Sequence, residues 1–266
     1  MSYNLLKIDK LQSLEELNWI LKRKTAIDSD VLKTVSVIIN DIVKHGEAAL
    51  FKYCNKYDGL KADNIDDLLV METDIKNASK TVSEKYPELI KALKAAFNNL
   101  NEYHSLQLKN ESLNWFMDSK DGKRLGQIAN PLNRVCIYIP GGRYLYPSSV
   151  LMAAVPAKIA GVKDIAVCTP PQKDSKVNDI LLYLFSLLGI NEIYKIGGAQ
   201  AIAAMAYGTE NIKKVDKIVG PGNIYVTAAK KLVFGTVGID SLAGPSEILI
   251  IADKHSDPSF IAADLL

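Results

Sequence analysis

The spacing of apolar positions changes character near Gln127. Upstream, Leu32, Val35, Ile39, Ile42 and Val43 recur at helical intervals, and Ala48, Leu50 and Phe51 carry the pattern past Gly46. Ser29 and Asp30 stand where such a helix takes its N-cap. A second long helix is predicted over Ser83 to Leu106, with Leu89, Ile90, Leu93, Ala96 and Leu100 on one face. Between the two lie an acidic connection, Asp58 to Asp67, and a short strand-like run, Leu68 to Met71.

Downstream, short β-rich runs alternate with helical ones. Strands are predicted at Val135 to Ile139, Ile165 to Cys168, Glu192 to Lys195 and Lys217 to Val219. The helices between and after them run from Ser148 to Ala160 (kinked or broken near Pro156), Val177 to Leu188, Ala199 to Ala206 and Ile224 to Val233. This rhythm predicts an α/β fold with a parallel sheet and helices on its faces. Thr236 to Gly238 and Ile248 to Ile251 add two further strands, and Asp257 caps a last helix from Pro258 to Leu266.

Composition narrows the function classes. The 266 residues are 48% hydrophobic and 23% charged, an ordinary globular balance. A net charge of +2, without a basic block, argues against nucleic acid or an anionic membrane as partner. Met1 to Lys10 lacks the apolar run of a signal peptide, and no stretch is long enough to span a bilayer. Cys54, Cys136 and Cys168 lack metal-ligand spacing and read as reduced thiols of a cytoplasmic protein. His45, His104 and His255 are isolated from one another and read as solvated or capping residues.

Ligands of an open α/β sheet bind beyond the carboxyl ends of the strands, which singles out four loops. Tyr138-Ile-Pro-Gly-Gly142 can bring backbone close to a ligand, with Arg143 as a charge, or be a tight turn. Gly197-Gly-Ala-Gln200 opens a helix whose first N–H groups are a natural anion site, or is a glycine turn with a solvated Gln. Gly220-Pro-Gly-Asn223 has the same geometry or is a plain Pro-Gly turn, since Tyr225 stands where a dinucleotide fingerprint needs its third glycine. In Ala243-Gly-Pro-Ser-Glu247, Ser246 is a hydroxyl ligand or a solvated turn residue, and Glu247 entering an apolar strand needs partners.

Taken in order, Ile137-Tyr-Ile-Pro-Gly-Gly142, Gly197-Gly-Ala-Gln-Ala-Ile202, Val219-Gly-Pro-Gly-Asn223 and Asp240-Ser-Leu-Ala-Gly-Pro-Ser-Glu247 resemble histidinol dehydrogenases. His45-Gly-Glu-Ala-Ala-Leu50, Lys56-Tyr-Asp58 and Asn101-Glu-Tyr-His-Ser-Leu-Gln107 extend the resemblance over nearly the whole chain.

The resemblance implies a homodimeric, zinc-dependent enzyme of histidine biosynthesis that oxidises L-histidinol to L-histidine through the aldehyde with NAD. It implies NAD contacts at Tyr138, Gln200 and Asn223 and a substrate contact at Ser246. It also implies that the zinc ligands and the catalytic Glu-His pair lie beyond Leu266, leaving no catalytic or metal residue here and apolar surface exposed on the N-terminal helices. The expected architecture is an incomplete Rossmann-like parallel-sheet unit preceded by a helical region. Its expected divisions are a tail or helix over 1–25, the helical first part of an incomplete α/β domain over 26–137, the NAD-side domain over 138–246, and a return toward the first domain over 247–266. The isolated chain is expected to be inactive. The alternatives are one half of a split enzyme or a non-catalytic nucleotide-binding fragment.

Overall fold

In the computed structural model, residues 27–141, 145–242 and 248–265 are described. The first helix, α1 (Ser29–Tyr53), is capped by Asp28, whose carboxylate accepts from the Asp30 amide, one residue earlier than the sequence suggests. Val35, Ile38, Ile39, Ile42 and Leu50 form its buried stripe, but the helix breaks direction at Gly46, where φ is 55°. Glu47 and Glu210 hold that break. The Glu47 amide donates to Glu210, while the Glu47 carboxylate accepts from Thr209 and Asn211. A π-helical turn (Cys54–Asp58) follows and ends at Gly59, in the left-handed region at φ 68°.

Two elements escape the sequence pattern. Helix α2 (Glu72–Lys85) is mostly polar, and only Ile75, Ala78 and Val82 are buried. Its signals are terminal, with Glu72 and Asp74 in the first turn and Lys85 in the last. The hairpin β1 (Trp115–Asp118) and β2 (Arg124–Gln127) turns through Asp121-Gly122 and is exposed along both strands. Leu68 to Met71 forms no strand, only an isolated antiparallel bridge between Leu69 and Tyr194. The second long helix is α3 (Pro87–Asn110), starting at its proline rather than at Ser83.

The remaining elements follow the predicted alternation: β3 (Arg134–Tyr138), α4 (Pro147–Ile159), β4 (Asp164–Cys168), α5 (Asp179–Leu187), β5 (Glu192–Tyr194), α6 (Gly198–Tyr207), β6 (Lys217–Val219), α7 (Ile224–Val233) and β7 (Gly238–Ile239). Pro156 sits in the last turn of α4 and does not break it. The five strands form one parallel sheet in the order β5-β4-β3-β6-β7. Chain order therefore reverses at β3, which places a crevice between the loops after β3 and β6.

Period-two alternation divides the strand side chains between two cores. Cys136, Tyr138, Ala166, Cys168, Tyr194 and Ile218 face α1, α6 and α7. Val135, Ile137, Ile139, Ile165, Val167 and Ile193 face α2, α4, α5 and Leu93 of α3. At the amino ends of the strands, Arg134 (7% exposed) bonds both Asp164 and Glu192, pinning β3, β4 and β5 together.

The predicted strand over Ile248 to Ile251 does not form. Leu249 and Ile251 are 85% and 90% exposed, with no neighbouring strand to pair with among the described residues. The last helix, α8 (Pro258–Leu265), begins as expected, with Asp257 accepting from the Ser259 amide at 2.8 Å. On the N-terminal helices the exposed large apolar side chains include Val37, Val43, Tyr103 and Leu106, and more lie on the hairpin. No described helix is long and apolar enough to cross a membrane.

Candidate functional site

A cavity of about 850 Å³ opens at the carboxyl ends of the strands. Tyr138 at the end of β3 and Pro140, Gly141 and Tyr146 of the loop after it contribute one wall, and the loop after β4 contributes Pro170 and Pro171. Gly198, Ala199 and Gln200 come from the start of α6, and Pro221, Gly222, Asn223 and Tyr225 from the loop after β6. The fifth wall comes from outside the sheet: Thr34 and Ile38 of α1, with Tyr57 and Asp58 of the π-helical turn. Tyr138, Gln200 and Asn223, chosen from three separate sequence motifs, line this one space.

The amino terminus of α6 is not open to an external anion at its first two amides. The Gly197 amide donates to Asp58 Oδ2 at 3.1 Å, and the Gly198 amide donates to the Tyr138 hydroxyl at 3.1 Å. Gln200, 2% exposed, donates from Nε2 to the same Asp58 oxygen at 3.0 Å. The solvated alternative for Gln200 is therefore overturned. The chain's own carboxylate takes the position where the helix dipole favours negative charge. Burial pushes the Asp58 carboxyl above its usual range, against the opposing bonds from Gly197, Gln200 and the Cys54 thiol. Burial also lifts the Tyr138 phenol well above its ordinary value, although the Gly198 amide acts the other way, so its hydroxyl remains protonated near neutral pH.

The loop before α7 is built differently. Asn223 is its N-cap, and Oδ1 accepts from the amides of Tyr225 at 3.0 Å and Val226 at 3.1 Å. Gly220 adopts φ 115°, and a Cβ there would lie 2.0 Å from the Tyr138 carbonyl oxygen, so only glycine fits beside β3. Lys230, 2% exposed on α7, donates to the Gly220 carbonyl at 3.0 Å and forms an ion pair with Asp240. Asp240 Oδ2 accepts from the Gly220 amide at 2.8 Å. Burial alone would raise the Asp240 carboxyl, but Lys230 and the amides of Gly220 and Ser241 outweigh it and hold the group below its usual range.

Asp58, Lys230 and Asp240 were not selected from sequence. Asp58 carries a signal in its Lys56-Tyr-Asp58 run, and Asp240 opens the motif that contains Ser246. Lys230 had none, because one lysine in an amphipathic helix carries no mark of burial. Ser246 and Glu247 lie outside the described residues, as do Gly142 and Arg143.

The histidines sit apart from the cavity lining. His45 pairs with Asp41 at 2.7 Å, His104 bonds Gln107, and the His255 amide donates to Asp253. The three cysteines are buried and free. Among the described residues, no group of three or more His, Cys, Asp or Glu side chains converges to hold a metal ion. A second cavity, about 760 Å³, lies between α4 and the segment 129–132, lined mainly by apolar side chains such as Met152, Ala153 and Leu132. Gly220, Pro221 and Asp240 also border it, but Tyr138, Gln200 and Asn223 do not.

A family model described as histidinol dehydrogenase matches residues 21–266. The chain is similar to histidinol dehydrogenases of Lactococcus lactis subsp. lactis (47% identical over 98% of this chain and 59% of the relative) and Clostridium acetobutylicum (47% identical over 96% and 56%). A crystal structure of histidinol dehydrogenase from Elizabethkingia anophelis superposes with a TM-score of 0.80 at 38% identity, covering 96% of this chain and 57% of that one. The chain thus spans somewhat under three fifths of the length of these relatives. With a family model matched over most of the sequence and the same α/β architecture in a solved relative, the chain belongs to the histidinol dehydrogenase family.

Proposed function

We propose that this chain builds the nucleotide side of an NAD-dependent histidinol dehydrogenase, whose whole activity is the oxidation of L-histidinol to L-histidine through the aldehyde. The supporting observation is the convergence of Tyr138, Gln200 and Asn223, from three loops, on one cavity at the topological switch point. When bound, NAD supplies the hydride acceptor.

The chain's own side chains divide the recognition work by hydrogen-bond inventory. Gln200 spends an Nε2 proton on Asp58, so Oε1 is left to accept from a ligand. Asn223 spends Oδ1 on its helix cap, so its amide protons are left to donate. Tyr138 accepts from Gly198 and keeps its own proton to give. Two donors and one acceptor, all uncharged, suit the sugar and base edges of a nucleotide. Proline and tyrosine side chains around them offer flat surfaces to a base. Ser246 is proposed as a substrate contact.

Zinc does not fit the described residues, which offer no converging ligand set. Among the described lining residues the ionisable groups are tyrosines and Asp58, and the Asp58 carboxylate is already engaged by Gly197 and Gln200. The 266-residue chain alone should therefore give no NADH from L-histidinol, NAD and zinc, and sustained absorbance growth at 340 nm would refute this. NAD should nevertheless bind. Calorimetric titration should give one saturable site on the unaltered chain and weaker binding for Gln200→Ala; equal affinity in the two would remove the assignment.

The exposed apolar side chains of the hairpin, Trp115, Phe116, Met117 and Leu125, together with Leu249, Ile251 and Phe260, favour further polypeptide packing here over an isolated scaffold. A homodimer and a complementing chain are the two forms proposed. Light scattering on the purified chain reads the first. Co-purification of a second polypeptide rich in His and Glu reads the other.

A further inference from the structure

In an open dinucleotide-binding sheet, the second strand usually ends in an acid that accepts a hydrogen bond from a ribose hydroxyl. The corresponding strand here is β4, and its continuation is Thr169-Pro170-Pro171, with no acid. An acid from another part of the chain stands beside this strand end. Asp58, at the end of the π-helical turn, reaches across to the loops after β4 and β5. The geometry around Gly197 fixes how close it comes: a Cβ on Gly197 would lie 2.6 Å from Asp58 Oδ1 and 2.8 Å from the Pro170 side chain. The φ of Gly197 is −104°, which any residue can adopt, so glycine is needed there for room and not for backbone conformation. Its lack of a side chain lets the carboxylate stand against the end of β4.

Two further features define the charge of this wall. Asp58 is the one charged side chain among the described lining residues, which include no Lys or Arg. Its Oδ2 is already engaged by Gly197 and Gln200, so the carboxylate is held in a fixed orientation beside Gln200 and Tyr138. A phosphate added at this point of a ligand would meet a negative charge and no counter-charge among the described lining residues, whereas a hydroxyl would find an acceptor.

We propose that Asp58 is the specificity-determining residue of the cavity: it accepts a hydrogen bond from the adenosine ribose 2′-hydroxyl of NAD and rejects the 2′-phosphate of NADP. This rests on the reading of the cavity as a dinucleotide site. It assigns to the N-terminal segment a task that open α/β folds usually give to the sheet itself. It also explains why α6 opens on glycine although its first amides are not left for a phosphate.

The test is calorimetric titration of the full 266-residue chain with NAD, NADP and 2′-deoxyadenosine NAD. The unaltered chain should bind NAD at least about tenfold more tightly than either of the others, the size of one charge-assisted hydrogen bond. Asp58→Asn keeps the shape and an acceptor for Gly197 and Gln200 while removing the charge. It should shift the NAD-to-NADP affinity ratio about tenfold toward NADP. Should that variant fail to fold, judged by its melting curve, the deoxy-NAD comparison on the unaltered chain decides alone. No NAD binding by the unaltered chain would overturn the dinucleotide reading and the assignment with it. NAD binding with no loss for deoxy-NAD, or with an unchanged ratio in Asp58→Asn, would overturn the assignment and leave the dinucleotide reading standing.

Discussion

Two of the four strand-to-helix loops that line the cavity look alike in sequence: Gly197-Gly-Ala-Gln200 and Gly220-Pro-Gly-Asn223. Both open a helix beyond the end of a parallel strand. Their amides are satisfied in opposite ways. The second loop is capped locally, by Asn223 two and three residues before its partners, and is clamped from behind by Lys230 and Asp240. The first has no local side-chain cap and takes Asp58 from 139 residues away. A glycine-rich turn therefore does not by itself specify an open anion site. What matters is which acceptor arrives first, and a long-range one leaves no trace in the local pattern.

The sharpest way to break this contrast is to substitute the glycines. Gly220→Ala meets both an unfavourable φ and the backbone of β3, which cannot yield, and should cost more than about 4 kcal/mol in denaturant unfolding. Lys230→Met should cost about 2–3 kcal/mol, because it strips the partner from Asp240 and frees the Gly220 carbonyl; the half-exposed position of Asp240 keeps the loss below that of a fully buried pair. Gly197→Ala should cost about 1–3 kcal/mol, since it presses on Asp58, which can shift, and its larger effect should fall on NAD affinity. Asn223→Ala removes a cap worth about 1 kcal/mol. If Gly197→Ala proved as damaging to stability as Gly220→Ala, the distinction between steric room and backbone conformation would be wrong.

Acid should separate the two loops by sign. Asp240 has a lowered folded-state pKa, so its contribution is present above the unfolded carboxyl value near 3.9 and is lost as pH falls through the folded value. Asp58 has a raised one, so its contribution is present below the unfolded value and is lost as pH rises through the folded value. In urea titrations between pH 7 and 3, Asp240→Asn should flatten the decline of stability in acid and Asp58→Asn should steepen it. Changes of the same sign in both variants would contradict the assignment.

Much of the sheet was legible because alternation and glycine punctuation are local. Lys217–Val219 and Ile224–Val233 match the predicted spans to the residue, and the other sheet elements lie within a residue or two of theirs. Helix α2 was missed because three buried apolar residues in fourteen are too few to show a stripe, and the hairpin because its exposed strands carry no inside-outside pattern. Ile248 to Ile251 misled in the other direction: apolar β-branched residues predict a strand, but a strand needs a neighbour to pair with. In the site, the glycine loops and Gln200 announced themselves. Asp58 and Lys230 did not, because their roles exist only once α1 and α7 have packed on the same face of the sheet.

The proposed dinucleotide site is one space enclosed by four sheet loops and the Asp58 turn. A crystal structure of the chain grown with NAD tests it most directly. The adenosine half should lie in the 850 Å³ cavity, in contact with Tyr138, Gln200 and Asn223, with its ribose within hydrogen-bonding distance of Asp58. NAD seated instead in the apolar cavity beside Met152 and Leu132 would contradict it.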